Sequence, residues 1–298
     1  MFKNKQILTY CLLVLFTVFA GCKSKFEKLQ ESSNTGKKYQ EALRLYNKGD
    51  YNKALILFDG LMQRYRGMAE AEDLSYYFAY TNYKLKDYAT ARYQFKQFAD
   101  SYPNSLKAEE SRFISAYCYY LESPNFTLDQ ENTTRAIEAM QLFLNLYPKS
   151  ERVAEASTLI ANLRDKLEKK SFSNARLFYD IGGTGADAQN YRSAVIAFKN
   201  SLRDFPDSKY AEEMEYLMVR AQYLYSKNSL ETKQEDRYTE AIGYANDFEE
   251  DYPNSAWLKD VQSIKTDSEK NIVAVKKLLA SILVPQQNKD KQDTTQKN

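Results

Sequence analysis

Histidine is absent from all 298 residues. Its absence removes the commonest general base, the commonest zinc ligand and the base of every Ser-His or Cys-His nucleophile pair. Carboxylates are the next candidates for chemistry, in the runs Glu109-Glu110, Glu212-Glu213 and Glu249-Glu250-Asp251. They fall beside lysines, without a companion nucleophile or metal-ligand set, and such runs are solvated helix faces. Cys118 sits among Ala116, Tyr117 and Tyr119 and reads as a small core residue. Gly182-Gly183-Thr184-Gly185 could cradle a phosphate only after a strand and with a Gly-Lys-Ser/Thr ending. It has neither, so it is predicted to be a loop inserted between helices. These residue types predict no enzyme, no metal site and no cofactor.

The N-terminus offers a different chemistry. Lys3 and Lys5 precede an apolar run from Ile7 to Phe19, followed by Ala20, Gly21 and Cys22. A basic start, a short apolar stretch and small residues describe a secretory signal peptide, and the run is shorter than the ~20 residues a membrane span needs. Phe19-Ala20-Gly21-Cys22 resembles the bacterial lipoprotein box, with phenylalanine where leucine is usual. The resemblance implies a signal over 1–21 and Cys22 as the lipidated first residue of the mature chain. Acyl chains at about 0.8 kcal/mol per buried methylene would make a lasting anchor. Cys11 leaves with the signal and Cys22 is consumed, so Cys118 alone cannot form an intramolecular disulfide. Residues 22–36 are polar and predict a lipidated tether. Residues 285–298 have no apolar side chain after Pro285 and predict a disordered tail.

Between these ends the elements repeat. An aromatic, a proline, any residue and a serine recur as Tyr102-Pro103-Asn104-Ser105, Tyr147-Pro148-Lys149-Ser150, Phe205-Pro206-Asp207-Ser208 and Tyr252-Pro253-Asn254-Ser255. Eleven residues before each aromatic stands an alanine: Ala91, Ala136, Ala194 and Ala241. The same rule takes Tyr65 to Ala54 and exposes a fifth, degenerate copy with Arg66 in place of proline. Four residues after the alanines come Phe58, Phe95, Met140, Phe198 and Ala245. Alanine allows close helix approach, the larger residue one turn on fills the gap, proline stops the helix, and serine is suited to cap the next. Nine glycines and six prolines leave few tight turns for a β fold.

The unit of helix, turn and helix resembles the tetratricopeptide repeat, on Tyr46, Gly49, Tyr51, Ala54 and Phe58 and on Ala79, Tyr88, Ala91, Phe95 and Pro103. The fold implied is an all-α helical solenoid of about five repeats over residues 38 to 275, with repeats 1–3 and an extra helix in 37–170 and repeats 4–5 in 171–284. Spacing grows around Pro124 to Asn132, an insertion, and again after Tyr147. There the extra helix is predicted near 150–170 and the next repeat's first helix at 174–181. By the same resemblance, ligand-facing positions lie on first helices: Tyr39, Leu43, Tyr46 and Asn47; Asp73, Tyr76, Tyr80, Tyr83 and Lys84; Glu110, Phe113, Tyr117 and Tyr120. Tyrosine offers large contact area with a polar tip, which suits peptide recognition; packing between helices is the alternative use of the same rings.

A lipoprotein box followed by such repeats, with phrases like Tyr46-Asn47-Lys48-Gly49-Asp50-Tyr51 and Asp100-Ser101-Tyr102-Pro103-Asn104-Ser105, resembles the BamD-type lipoproteins of the outer-membrane β-barrel assembly machinery. The resemblance implies a lipid-anchored protein on the periplasmic face of the outer membrane. It would dock on the periplasmic domains of the barrel-forming subunit and sit with accessory lipoproteins. Unfolded barrel precursors would present their carboxy-terminal targeting segment to Tyr39, Tyr46, Tyr76, Tyr80, Tyr83, Lys84, Tyr117 and Tyr120. Trp257 either anchors a partner in the second half or packs beneath the final helix. With 42 basic and 40 acidic residues, no nucleic-acid footprint exists. Two other readings are a periplasmic tetratricopeptide scaffold of the Tol-Pal type, which lacks a lipid and carries a coiled coil, and a glycan-binding outer-membrane lipoprotein, which needs large insertions.

Overall fold

The computed structural model describes residues 23–184 and 188–295, with side chains of the last helix described to 282. Among the described residues there are twelve α-helices and no strand. In chain order they are α1 (Lys25–Glu31), α2 (Thr35–Lys48), α3 (Tyr51–Met62), α4 (Ala71–Lys84), α5 (Tyr88–Ser101), α6 (Ala108–Glu122), α7 (Glu131–Leu146), α8 (Val153–Gly183), α9 (Gln189–Asp204), α10 (Ala211–Lys227), α11 (Glu231–Asp251) and α12 (Leu258–Thr295). The chain divides into two compact units. One runs to Ser123 and includes Glu131–Ile160; the other joins Pro124–Gln130 to Ala161 onward.

Within each unit, consecutive helices pack as hairpins, and first helices of successive repeats also touch, α2 with α4 and α10 with α12. This is a tetratricopeptide-like helical array, and its repeat positions do what their sizes demand. Ala54, Ala91, Ala136, Ala194 and Ala241 are all 0% exposed, and so are Phe58, Phe95, Met140, Phe198 and Ala245. The hairpin turns of the first two repeats use the same devices. Asp50 and Asp87 cap α3 and α5 by accepting from the N–H of Lys53 and Thr90 at 3.4 and 3.1 Å. Gly49 ends α2 at φ 83°, and Lys86 holds the matching left-handed position at φ 63°.

The aromatic-proline-serine phrase is a hydrogen-bonded turn. The serine N–H donates to the aromatic carbonyl in all four copies: Ser105 to Tyr102 at 3.0 Å, Ser150 to Tyr147 at 3.0 Å, Ser208 to Phe205 at 3.2 Å and Ser255 to Tyr252 at 3.1 Å. The serine is not the α-helix N-cap that its position suggested. Its Oγ accepts from the N–H two residues on (Lys107 3.1 Å, Arg152 3.1 Å, Tyr210 3.2 Å, Trp257 3.0 Å), holding one tight turn before the α-helix starts.

Three segments differ from expectation. Residues 25–31 of the anticipated tether are helical. Ser24 and Glu27 form a capping box, Phe26 and Leu29 pack on the first core cluster, and Lys38 Nζ donates to the Gln30 carbonyl at 2.6 Å. The extra helix and the next repeat's first helix are continuous as α8, because neither proline nor glycine interrupts the chain between 153 and 181. The backbone of α12 is helical to Thr295, past Pro285; the polar residues there, rich in glutamine and lysine, are good helix formers. The glycine cluster closes α8: a Cβ on Gly182 would lie 2.8 Å from the Tyr191 ring, so α9 packs there only against glycine. Gly185 lies outside the described residues.

Candidate functional site

The tyrosines of the first three repeats sit on helices that expose one face by spacing alone. Tyr39 and Tyr46 are two turns apart on α2, Tyr76, Tyr80 and Tyr83 follow i, i+4, i+7 on α4, and Tyr117 and Tyr120 follow i, i+3 on α6. All seven are half-buried. The structure joins most of those on α2 and α4 into one line of ring contacts. Tyr46 meets Tyr77 at 5.3 Å, Tyr77 meets Tyr76 at 5.9 Å, Tyr76 meets Tyr80 at 4.8 Å and Tyr80 meets Tyr83 at 6.1 Å, all edge to face. Such pairs contribute about 0.5–1.5 kcal/mol each beyond burial. Tyr39 instead turns to Tyr65 at 5.7 Å, and Tyr117 stacks on Tyr120 at 5.6 Å.

A single carboxylate orders the middle of this line. Glu110, projecting from α6, accepts from the Tyr76 hydroxyl at 2.6 Å and from the Tyr80 hydroxyl at 2.5 Å. Behind the rings, Phe95 of α5 touches Tyr80 at 4.9 Å and Tyr76 at 6.4 Å. In front, the Lys107 ammonium lies 4.8 Å from the Tyr76 ring centre and pairs with Asp73. The result is a rigid aromatic surface with preset hydroxyls rather than an empty groove. Tyr77 and the double role of Glu110 escaped the sequence reading; the adjacent Tyr76-Tyr77 pair was the available signal.

Burial pushes the phenols up: Tyr39 and Tyr46 to about 12, with Tyr76 and Tyr80 also raised, first by burial and next by their hydrogen bonds to Glu110. The sign is set by the unfolded chain, whose tyrosines titrate near ~10. Above that pH the unfolded state releases protons the folded state keeps, so stability present below pH ~10 falls as pH rises toward 12. Thermal melts followed by circular dichroism from pH 8 to 12 are expected to show a flat midpoint to about 10 and a steep fall beyond. A midpoint unchanged at pH 11.5 would contradict the buried-phenol assignment.

Other predicted positions are placed differently. Lys84 stands exposed on the last turn of α4, with no side-chain partner among the described residues. Phe113 is 2% exposed and packs on Phe143 at 5.3 Å, so it is core and not a contact residue. Trp257 stacks on Tyr216 at 4.9 Å and an interplanar angle of 7°, half-buried against the second unit's core. Cys118 is fully buried with its thiol pushed up to about 12 by burial, which makes it a packing residue. Cys22, the lipidation candidate, lies outside the described residues. Among the described residues no group of acids and cysteines is arranged to hold a metal ion, and no described helix is long and apolar enough to cross a membrane.

Among the described residues the chain is a tetratricopeptide-like array of helical hairpins whose α2, α4 and α6 carry a built aromatic face. The chain belongs to the YfiO family, described as outer membrane lipoprotein, whose match covers residues 31–180. It is similar to the outer membrane protein assembly factor BamD of Rickettsia prowazekii, 22% identical over 246 residues that span 83% of this chain and 91% of the relative. The protein of the same name from Caulobacter vibrioides is 22% identical over 270 residues, spanning 90% of this chain and 83% of the relative. Among solved structures, the TPR2AB-domain:pHSP90-complex of yeast Sti1 is similar with a TM-score of 0.36 at 12% identity, covering 80% of this chain and 99% of that one.

Proposed function

We propose that this chain is a non-enzymatic assembly factor for outer-membrane proteins. It is tethered to the membrane by acylation of Cys22, on the periplasmic face, and works as a docking scaffold alongside accessory lipoproteins. The first three repeats receive the carboxy-terminal targeting segment of unfolded barrel precursors along Tyr39, Tyr46, Tyr76, Tyr80, Tyr83, Tyr117 and Tyr120. Lys84, exposed and unpaired at one end of α4, meets the terminal carboxylate. The second unit docks on the periplasmic domains of the barrel-forming subunit. Its exposed apolar positions on α8, Leu177, Phe178 and Ile181, suit that role, whereas Trp257 is spent on internal stacking.

The observation that carries this reading is that relatives sharing most of their own length with this chain bear the assembly-factor name. The preset aromatic surface supports its peptide-binding part, because rings locked by neighbours lose little freedom when a ligand arrives. Photo-crosslinkable residues at Tyr46, Tyr83 and Tyr120, and as a control at Tyr244, test it. Crosslinks to an unfolded barrel precursor are expected from the first three only. Crosslinks from the last two repeats alone would end the assignment.

A further inference from the structure

The first repeat departs from the others at one position. Where they carry Pro103, Pro148, Pro206 and Pro253, it carries Arg66, followed by Gly67. Without proline the turn is longer: eight residues, 63–70, link α3 to α4, against six in each proline-containing turn, as in 102–107 between α5 and α6. Gly67 takes φ 82°, a conformation that side chains disfavour, so the Arg66-Gly67 pair is suited to this wider loop and not to the proline turn.

Beside the loop lies a cleft of about 370 Å3, bounded by the end of α3, the start of α4 and α5. That volume is at the small end of the ~300–1,000 Å3 range of ligand sites. Leu74 and Phe98, each 1% exposed, close the cleft from beneath, and the half-buried Met62 and Tyr102 supply its accessible apolar wall. Its rim carries Arg66, Tyr93, Gln94 and Gln97, and no acidic residue lines it. Cations elsewhere on α5 are committed, Lys96 to Asp100 at 2.9 Å and Arg92 to Glu122. By contrast, among the described residues the Arg66, Gln94 and Gln97 side chains have no hydrogen-bond or ion-pair partner. Tyr93 is 59% exposed, its hydroxyl likewise uncommitted.

We propose that this cleft binds an extended internal segment of a partner polypeptide in which an apolar side chain lies next to an acidic one. The apolar side chain rests against Met62 and Tyr102, and the carboxylate pairs with Arg66, the single cation among the cleft's lining residues. Gln94 and Gln97 stand one turn apart on one face of α5, and each amide both donates and accepts. They match a peptide backbone, which alternates the same two functions. A neutral glycan would leave the Arg66 charge without a counter-ion, which an acidic side chain supplies. The proposal is separate from the tyrosine surface, where a chain end is read at Lys84, at the opposite end of α4.

The test uses the purified full chain and a fluorescein-labelled peptide with both ends capped, carrying a central phenylalanine-aspartate pair. Saturable binding in fluorescence anisotropy is expected, weakened about tenfold by Arg66→Ala, and equally by changing the peptide's aspartate to asparagine. The pair Gln94→Ala and Gln97→Ala is expected to weaken it as well, while Lys84→Ala leaves it unchanged. Arg66 and Gln97 face solvent, and unchanged circular dichroism melts identify variants that are folded. Equal binding of the asparagine peptide, indifference to Arg66→Ala, or no binding would overturn the proposal. Displacement of the peptide by an N-acetylglucosamine oligomer would overturn it in favour of a glycan site. Loss of binding in Lys84→Ala would merge it with the tyrosine surface and overturn its independence.

Discussion

Phe95→Ala is expected to destabilise the first unit by about 3–5 kcal/mol, the range for removing a fully buried phenylalanine. Phe95 is 0% exposed and occupies the position one turn after the repeat alanine Ala91. Its ring is also the wall against which Tyr80 and Tyr76 rest, at 4.9 and 6.4 Å. Truncation therefore removes the transfer energy of the ring, leaves a cavity the two helices cannot close, and frees the tyrosines that form the aromatic surface. A drop of about 10 °C in the melting midpoint of that unit is the expected readout by calorimetry. Ile56→Ala, at a residue 44% exposed on α3, is the control, with a shift of a degree or so. If both variants melt alike, the repeat register is misplaced.

Glu110→Ala is the second large effect. The carboxylate takes two tyrosine hydroxyls, at 2.6 and 2.5 Å, and alanine leaves both without their acceptor. Hydrogen bonds to a charged group contribute about 1.5–3 kcal/mol each, and because the two rings are half-buried water restores part of that, so a loss of about 2–3 kcal/mol is expected. Glu110→Gln keeps one acceptor oxygen and is expected to lose less. Converting Tyr76 and Tyr80 to phenylalanine should make the Glu110→Ala loss largely disappear, since the partners form one network. Chemical denaturation of the single, double and triple variants reads the coupling directly; strict additivity would mean that the carboxylate does not hold these hydroxyls.

How much of this was legible beforehand follows from particular residues. The alanine and the apolar residue four positions later were readable because helix contact imposes size at a fixed spacing, and every one of those ten positions is 0% exposed. Proline marked the helix ends through its missing N–H and its effect on the residue before it. The exact place of the serine was less readable: one residue type caps helices and also closes turns, and only the hydrogen bond to the second N–H on decides between them. The fusion of two expected helices into α8 was hidden because a spacing anomaly locates extra residues without saying whether the helix breaks. The helical tether was hidden because its polar composition masks Phe26 and Leu29, which find the core only once α2 is in place.

For the site, the tyrosine positions themselves followed from helical periodicity, whereas their partners did not. Glu110 meets Tyr76 and Tyr80 across 34 and 30 residues, a distance no local pattern encodes. Phe113 lies one turn before Tyr117 on the same face of α6 and stacks on it at 6.0 Å, yet it is core because Phe143 of α7 covers it, a contact the spacing along α6 does not encode. The Arg66 substitution was visible as a broken repeat, but the cleft it borders depends on a loop length that becomes meaningful only against the other four turns.

The scaffold reading is tested most directly by depleting the protein in its native cell and quantifying outer-membrane proteins by mass spectrometry. A selective fall in β-barrel proteins is expected, with other outer-membrane lipoproteins held at their normal level. Barrel proteins unchanged while the chain itself is gone would contradict it.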